Sequence, residues 1–385
     1  MGLSRVKSSQ LELPLSFGVE PQAWSGCFNA RESSLHQLAP FVGKMKSGMA
    51  RQLILHYTEP GDTVLDPFCG SGIVPLEAAL LGRHAIGNDL SPYAYTITHA
   101  KLFAPENVQA AFELAQRCLV EIEAKARKRT LEDVPEWVQR FFHPRTLKEV
   151  LAAVEVLQRD SSFFLLACLM GILHHVRPGF LSYPASHLTP YLRTKKYPPE
   201  QYQEMYRYRD LRSRLFAKVE RAYRRHIPIG PTIRRQALCC NAMSLPLEEG
   251  SVDAVISSPP YFGALDYARD NRLRLWFLGV HDHKDLEQAL TANDKVYVPE
   301  MRQCLVEFAR VLRPGAPCVL VLGDVSRNGR HHRTADTISR LASEAGDGRL
   351  FQKESMVDDS IPDERRSRRR TKTTLVERIL TLRRR

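Results

Sequence analysis

The sequence has no apolar run long enough to cross a bilayer. The longest, Phe163 to Leu173, has 11 residues, whereas a spanning helix needs about 20, so it predicts a buried helix. The N-terminal residues lack the basic, apolar and small-residue sections of a secretory signal. Val6 stands where a myristoylation signal needs Ser or Thr. These absences predict a cytoplasmic protein, nucleoid-associated in a prokaryote.

Cysteine spacing gives no sign of a disulfide framework or a zinc site. The eight cysteines are scattered, and no two are spaced as Cys-x-x-Cys. His174 and His175 also lack partner ligands at metal spacing. We therefore predict no metal. Cys69 and Cys318 lie in a turn and at the start of a strand, and we expect both to be structural and not nucleophilic.

Acidic residues are outnumbered by basic ones, with 55 Lys and Arg against 43 Asp and Glu, a formal net charge of +12. A basic protein gains affinity for polyanions through phosphate neutralisation and counterion release. Much of the excess falls in Arg365 to Lys372 and in Arg383 to Arg385. Such runs are usually solvated, with direct DNA contact as the alternative.

Two separated stretches alternate strand and helix patterns. In the first, the strand Thr63 to Leu65 runs into a Gly-rich turn, a helix from Val74 to Leu81 and a strand from His84 to Asn88. The second begins near Ala237. It predicts the strand Val252 to Ile256, a helix from Glu300 to Leu312 and the strand Cys318 to Leu322. This alternation predicts an α/β fold with a Rossmann-like, doubly wound, mostly parallel sheet.

A helical insertion is expected between these stretches. Residues 16–104 and 230–385 would form the α/β domain, and 105–229 the insertion. The longer helices predicted in the insertion are Val108 to Lys125, Leu147 to Gln158 and Gln201 to Arg225. Between the last two, residues 177–199 are rich in turn residues, aromatics and cations, so a loop is predicted there.

The turn Asp66 to Gly72 lies where a doubly wound sheet binds its ligand, between the end of a strand and the start of a helix. It lacks the Walker lysine and the Gly-x-Gly-x-x-Gly spacing, which disfavours a nucleotide phosphate. Asp89 ends the next strand. Its carboxylate could accept both hydroxyls of a ribose, in hydrogen bonds of about 1.5–3 kcal/mol each. The alternative role is capping of the following helix.

A second motif, Ser257 to Tyr261, follows a strand directly. Its consecutive prolines fix an extended turn and remove two backbone donors. Carbonyl oxygens and the Ser258 hydroxyl are left to accept hydrogen bonds from an amine. Tyr261 adds an aromatic face on which a flat, extruded base could stack. A structural turn is the alternative.

Together, Asp-Pro-Phe-Cys-Gly-Ser-Gly and Ser-Pro-Pro-Tyr resemble the amino-directed DNA methyltransferases, especially the N4-cytosine-specific ones. The resemblance covers about two thirds of the chain and implies a class I S-adenosylmethionine methyltransferase fold. It implies that the Gly-rich turn wraps the methionine part of S-adenosylmethionine and that Asp89 holds the ribose. Asn241, where many relatives have Asp, would lie beside the adenine. The implied cofactor-binding residues are Lys44, Asp66, Pro67, Phe68, Cys69, Gly70, Ser71, Gly72, Asp89, Leu90 and Asn241.

The resemblance also implies catalytic roles for Ser258, Pro259, Pro260 and Tyr261. The Ser258 hydroxyl and the Pro259 carbonyl would accept the two hydrogens of cytosine N4, and Tyr261 would stack on the flipped base. No covalent intermediate is required. An N6-adenine enzyme usually has Asp where Ser258 stands, and an RNA guanine-N2 enzyme Asp or Asn. Both remain alternatives, as does a catalytically silent DNA-binding protein.

The expected partner is double-stranded DNA, with a cognate restriction endonuclease as a further candidate partner and a monomer or homodimer as the assembly. The insertion would carry target-recognition elements, since its loop mixes cations with aromatics as contacts to phosphates and unstacked bases require. A solvated loop is the alternative. The candidate DNA-binding residues are Tyr183, Tyr191, Arg193, Lys195, Lys196, Arg269 and Arg272.

Overall fold

A seven-stranded sheet forms the centre of the protein in a computed structural model. The residues that the structure describes are 32–41, 43–173, 200–201, 203–260, 267–282, 286, 294–327, 330–344, 346, 348–360 and 376–385. The strands of the sheet are β1 (Thr63–Asp66), β2 (His84–Asn88), β3 (Arg235–Leu238), β4 (Ala254–Ser257), β5 (Pro317–Gly323), β8 (Phe351–Ser360) and β9 (Val376–Arg384). Strands β6 (Val325–Arg327) and β7 (Arg330–His332) form a separate hairpin.

The strand order is β3, β2, β1, β4, β5, β9, β8. Strands β1 to β5 pair in parallel, and β9 is antiparallel to both of its neighbours. The predicted doubly wound, mostly parallel sheet is therefore confirmed. Its order changes direction between β1 and β4. In such folds the crevice at the carboxyl ends of these strands is the ligand site.

Helices cover both faces of the sheet because successive residues of a buried strand point to opposite sides. Val64 of β1 packs in one apolar cluster with Met49 and Val74. Its neighbour Leu65 packs in another with Phe308 and other residues. The helices of this domain are α1 (Ser47–Tyr57), α2 (Ile73–Leu80), α3 (Pro92–Leu102), α10 (Tyr267–Asp270), α11 (Arg272–Phe277), α12 (Asp294–Val311) and α13 (Thr334–Glu344).

The described part of residues 105–229 is helical and packs beside α3. Asn107 caps the first helix by accepting a hydrogen bond from Ala110 N at 2.9 Å. The apolar run predicted as a buried helix forms α7, and nine of its ten residues are buried. The helices of this region are α4 (Val108–Lys128), α5 (Glu136–Gln139), α6 (Pro144–Arg159), α7 (Phe163–Ile172), α8 (Gln203–Tyr206) and α9 (Leu211–Tyr223).

One prediction about local structure is wrong. The single helix expected from Gln201 to Arg225 is two helices, because the Asp210 carboxylate accepts a hydrogen bond from Ser213 N at 2.9 Å and caps the start of α9. Arg383 and Arg384, from the basic run expected to be solvated, belong to β9 between two other strands, and the Arg383 side chain is partly exposed there. Among the described helices, none has the length and apolarity needed to span a membrane.

Candidate active site

The two sequence motifs meet at the carboxyl ends of β1 and β4. The Asp66 carboxylate, at the end of β1, accepts a 2.6 Å hydrogen bond from the Ser257 hydroxyl at the end of β4. It also accepts one from Phe68 N at 3.2 Å, which closes the start of the Gly-rich turn. Burial raises the pKa of Asp66 to about 7 despite these hydrogen bonds. One side chain thus joins both motifs.

A cleft opens to solvent beside this contact and spans about 820 Å³ of non-atom space, part of which is open solvent. The walls combine a few polar groups with a larger apolar surface, as small-molecule sites do. The residues that line it are Phe41, Gly43, Lys44, Met45, Asp66, Phe68, Cys69, Gly70, Ser71, Ile73, Val74, Asp89, Ser91, Ser258, Pro260, Ala268, Asn271, Leu275 and Leu286.

The Gly-rich turn needs its last two glycines for conformational and steric reasons. Gly70 and Gly72 have φ of +49° and +68°, which residues other than glycine rarely adopt. A Cβ on Gly72 would lie 2.7 Å from Thr98 Oγ1, and one on Gly70 would lie 2.9 Å from the ring of Phe41. The turn therefore lies directly on α3 and leaves its backbone facing the cleft.

Asp89 is held by the backbone on both of its oxygens. One accepts a hydrogen bond from Gly70 N and the other from Ser91 N, each at 2.9 Å. Burial raises the pKa of this carboxyl to about 6. Each oxygen of a carboxylate has a second acceptor site, so the group can still accept from a ligand in the cleft. Both the structural role and the binding role predicted for Asp89 are compatible with this geometry.

Two residues of α3 contact the Gly-rich turn and hold it in place. Neither was predicted from the sequence. Thr98 Oγ1 lies 3.2 Å from Cys69 Sγ. Lys101 is completely buried and its ammonium donates a 2.5 Å hydrogen bond to the Ser71 carbonyl. The sequence does place Lys101 three residues after Thr98, on the same face of α3. That spacing could have indicated that both side chains contact the turn.

The Cys69 thiol and the Ser71 hydroxyl, both in the turn, limit which chemistry and which ligand the cleft could accommodate. Burial, with the nearby carboxylates, raises the pKa of the Cys69 thiol well above its usual range, which disfavours a nucleophilic thiolate. The Ser71 hydroxyl is buried and finds no hydrogen-bond partner in the described part of the chain. Buried polar groups are normally paired, so this hydroxyl fits a polar group of a bound cofactor.

Ser258 reaches the cleft from the other side. Its hydroxyl donates to the carbonyl oxygen of Val321 at 3.2 Å, so its lone pairs are left as acceptors toward the cleft. Pro260 lines the cleft and Pro259 is buried. A hydroxyl oriented in this way can accept a hydrogen from an amine, which is the role that the sequence predicted. Tyr261 lies outside the described residues.

Of the other predicted cofactor-binding residues, Lys44 lines the cleft and the rest do not. Lys44 lines the cleft, and its ammonium donates to the His36 carbonyl at 3.2 Å. Asn241 follows β3 but is exposed and does not line the cleft. Its side-chain oxygen accepts from Met243 N at 3.0 Å, which forms a local turn. Pro67, Gly72 and Leu90 adjoin lining residues without lining the cleft themselves.

Two of the predicted DNA-binding residues, Arg269 and Arg272, lie among the described residues. Arg269 is exposed on α10, and the Arg272 guanidinium lies 5.3 Å from the ring centre of Trp137 in the insertion. The candidates Tyr183, Tyr191, Arg193, Lys195 and Lys196 lie outside the described residues. Within the described part, no group of three or more His, Cys, Asp or Glu side chains could hold a metal ion.

Comparison with known proteins gives a match over the Gly-rich half of the site. Residues 22–100 match the N6/N4 methyltransferase family model, described as DNA methylase. The chain is 25% identical over 297 residues to the type II methyltransferase M.BsoBI of Geobacillus stearothermophilus, covering 67% of this chain and 56% of that protein. It is 31% identical over 72 residues to the type II methyltransferase M.MjaII of Methanocaldococcus jannaschii, covering 19% of this chain and 14% of that one.

The chain thus spans about half of the first of these relatives and about one seventh of the second. Among solved structures, a SAM-dependent methyltransferase from Methanosarcina mazei is similar at 14% identity, with a TM-score of 0.34, over 86% of this chain and 96% of that one. Over residues 22–100 the chain is similar in sequence to DNA methylases, and the resemblance predicted from its motifs is confirmed there.

Proposed function

We propose that this protein transfers a methyl group from S-adenosylmethionine to the exocyclic N4 amino group of cytosine in double-stranded DNA. The hydrogen bond between Ser257 and Asp66 carries the proposal, because it brings the Ser-Pro-Pro motif against the turn that would hold the cofactor. A methyl donor and a base amino group must lie within about 3–3.5 Å for in-line transfer. The shared cleft supplies such a place.

The cofactor would occupy the part of the cleft between the Gly-rich turn and Asp89. The Asp89 carboxylate would accept from ribose hydroxyls, and the Ser71 hydroxyl would meet a polar group of the methionine part. Lys44, at the rim, matches the charge of the cofactor's carboxylate. When bound, S-adenosylmethionine supplies an electrophilic methyl group on a sulfonium. Asn241 would contribute only after its hydrogen bond with Met243 rearranged.

Ser258 and the Pro259 carbonyl would act on the amino group of the target. Cytosine N4 is a weak nucleophile because its lone pair is conjugated with the ring. Accepting its two hydrogens favours tetrahedral geometry at the nitrogen, which removes the lone pair from conjugation with the ring, and stabilises the positive charge that develops on nitrogen. With the cofactor bound, N4 would form its bond to the methyl carbon as the carbon–sulfur bond breaks, which would release S-adenosylhomocysteine, and the nitrogen would then lose one proton to water. The Ser258 hydroxyl is already oriented to accept, through its bond to Val321.

Cytosine is favoured over adenine by the neutral Ser258 in place of the Asp usual in N6-adenine enzymes. The wider assignments belong to the same proposal: residues 16–104 and 230–385 as the catalytic domain, 105–229 as the target-recognition region, and Tyr261 as the stacking residue. DNA protection beside a cognate restriction endonuclease is the proposed setting. It is supported by similarity to type II methyltransferases.

A serine pair tests the proposal. We expect Ser258→Ala to lower kcat for methyl transfer by about 100-fold or more, as loss of a preorganised transition-state hydrogen-bonding group does, with the affinity for S-adenosylmethionine unchanged. Ser343→Ala is the matched control, because the Ser343 hydroxyl also donates to a backbone carbonyl, at 2.7 Å, but at an exposed position of α13. Equal kcat for both variants and the wild type would contradict the role of Ser258.

A further inference from the structure

A second concave surface lies in the helical insertion and shares no lining residue with the cleft. We call it the helical groove; it is open to solvent and spans about 1410 Å³ of non-atom space, part of which is open solvent. It is formed by the end of α4, the starts of α6 and α9, and the residues just before those helices. Its lining residues are Leu119, Ile122, Glu123, Ala126, Arg127, His143, Pro144, Arg145, Lys148, Glu149, Tyr208, Asp210, Leu211 and Arg212.

Part of the charge in the helical groove is fixed by internal contacts. Arg145 lies over the ring of Tyr208, with its guanidinium carbon 4.2 Å from the ring centre. The Tyr208 hydroxyl donates to Glu149 at 2.7 Å, and Arg212 donates to Glu123 at 2.8 Å. These contacts hold the two guanidinium groups in place while leaving part of each exposed. The groove is therefore a preorganised, cation-bearing surface.

Two further cations of the groove have no such partner. Arg127 is exposed and Lys148 is half-buried, and neither makes a hydrogen bond or ion pair within the described part of the chain. The groove also faces the start of α6, whose backbone dipole adds positive potential, whereas the Asp210 carboxylate already caps the start of α9. Because Glu123 and Glu149 are held by Arg212 and Tyr208, the unpaired Arg127 and Lys148 favour an anionic occupant.

The helical groove lies at the same end of the molecule as the cleft. Helix α3 begins at the carboxyl edge of the sheet, directly after β2. Phe163, at the start of α7, packs on His99 in the last turn of α3, with ring centres 4.3 Å apart. Near the other end of α7, the Met170 carbonyl accepts from Arg274, which lies over Tyr93 in the first turn of α3. Helix α7 therefore ends at the carboxyl edge.

The starts of α6 and α9 are at this end too. Phe142, just before α6, packs on Phe277 of α11, with ring centres 5.8 Å apart. Arg274, which contacts the end of α7, belongs to the same helix α11. Thr146 of α6 donates to the carbonyl oxygen of Arg209, just before α9, at 2.9 Å. The groove and the cleft thus share the edge at which a duplex would approach.

We propose that the helical groove binds phosphates of the substrate duplex, through Arg127 and Lys148 with Arg145 and Arg212 beside them. This inference rests on the proposed function and adds a second contact site for the same DNA. Phosphate contacts position a duplex without reading its sequence. The groove would hold the backbone beside the target site while the base enters the cleft.

The test is the salt dependence of duplex binding by the variant Arg127→Gln/Lys148→Gln, measured by fluorescence anisotropy on the full chain. Each phosphate contact contributes about 0.9 to the slope of log affinity against log salt. We expect the slope of this variant to fall in magnitude by about 2. The control is Arg117→Gln/Arg340→Gln, which removes two exposed arginines without side-chain partners among the described residues. Its slope should equal that of the wild type.

The outcomes separate this inference from the proposed activity. Equal slopes for both variants, with methylation intact, would overturn the groove and leave the activity standing. A reduced slope for the groove variant alone, without methylation of any DNA by the wild type, would support the groove and overturn the activity. Tighter binding of duplex RNA than of DNA through the same two cations would overturn DNA as the occupant.

Discussion

The Ser257 hydroxyl donates a 2.6 Å hydrogen bond to the Asp66 carboxylate in a fully buried contact between neighbouring strands. These residues are 191 positions apart in the chain. Each lies at the boundary of a different motif, so the contact fixes the distance between the turn that would hold the cofactor and the loop that would hold the target base.

The stability of the protein should fall with rising pH through Asp66. Its folded-state pKa of about 7 lies above the usual value near 4, because burial penalises the charge. Its contribution to stability is thus fully present below pH 4 and is lost as pH rises through about 7. Asp66→Asn keeps an acceptor for Ser257 and cannot ionise. We expect its melting temperature to fall less than that of the wild type between pH 5 and pH 8.

The matched control for this experiment is Asp62→Asn, on the partly exposed turn before β1. It should show the same pH dependence as the wild type. Asp89, whose pKa burial raises to about 6, remains in every variant and gives a decline of the same sign. An Asp66→Asn profile that parallels the wild type over the whole range would show that Asp66 ionises normally in the folded state.

Gly72→Ala should disrupt the Gly-rich turn. A Cβ there would lie 2.7 Å from Thr98 Oγ1 and 3.0 Å from the Thr98 backbone, and φ is +68°. Gly250→Ala is the control, since φ is +62° and nothing lies within 4 Å of an added Cβ. Both variants bear a left-handed cost of about 1–2 kcal/mol. Only Gly72→Ala should also lose affinity for S-adenosylmethionine, measured by calorimetry. Equal affinities would argue against the close approach.

Lys101→Met should separate cofactor binding from stability. The buried ammonium donates a hydrogen bond to the Ser71 carbonyl, and burial lowers its pKa far below the usual value. Burying an ammonium carries a desolvation cost that an apolar side chain of similar length avoids, and this offsets the loss of the hydrogen bond. We expect an unchanged or higher melting temperature, with S-adenosylmethionine bound more weakly, because the Ser71 carbonyl loses the group that fixes the conformation of the turn. Unchanged affinity would contradict a role in holding the turn.

The strands at the centre of the sheet could be predicted because their apolar runs end at Asp, Gly or Pro. β1 and β2 are found within one residue of where the sequence indicates them. β9 was missed because its charges suggest a solvated end. In the structure Arg378 instead pairs with Asp324 and Asp358, and Arg383 with Glu354. Charge compensation across strands and loops cannot be read from one segment alone.

Several residues of the candidate site could be predicted from the sequence, but not every predicted residue lines the cleft. Asp66, Asp89 and Ser258 line one cleft as their positions after strands suggest. Asn241 was expected beside them but lies outside the lining, because its side chain closes a turn with Met243. Lys101 was missed. It contacts the Gly-rich turn from α3, and the apolar pattern of a helix does not show which single polar residue contacts a neighbouring loop.

Analysis of methylated nucleosides tests the central claim most directly. DNA incubated with the purified protein and methyl-labelled S-adenosylmethionine would be digested to nucleosides and resolved by mass spectrometry, beside an RNA control and the Ser258→Ala variant. The account predicts label in N4-methylcytosine from DNA, lost with the variant. Label in N6-methyladenine, or label only in RNA, would contradict it, and absence of label with intact cofactor binding would indicate a silent DNA-binding protein.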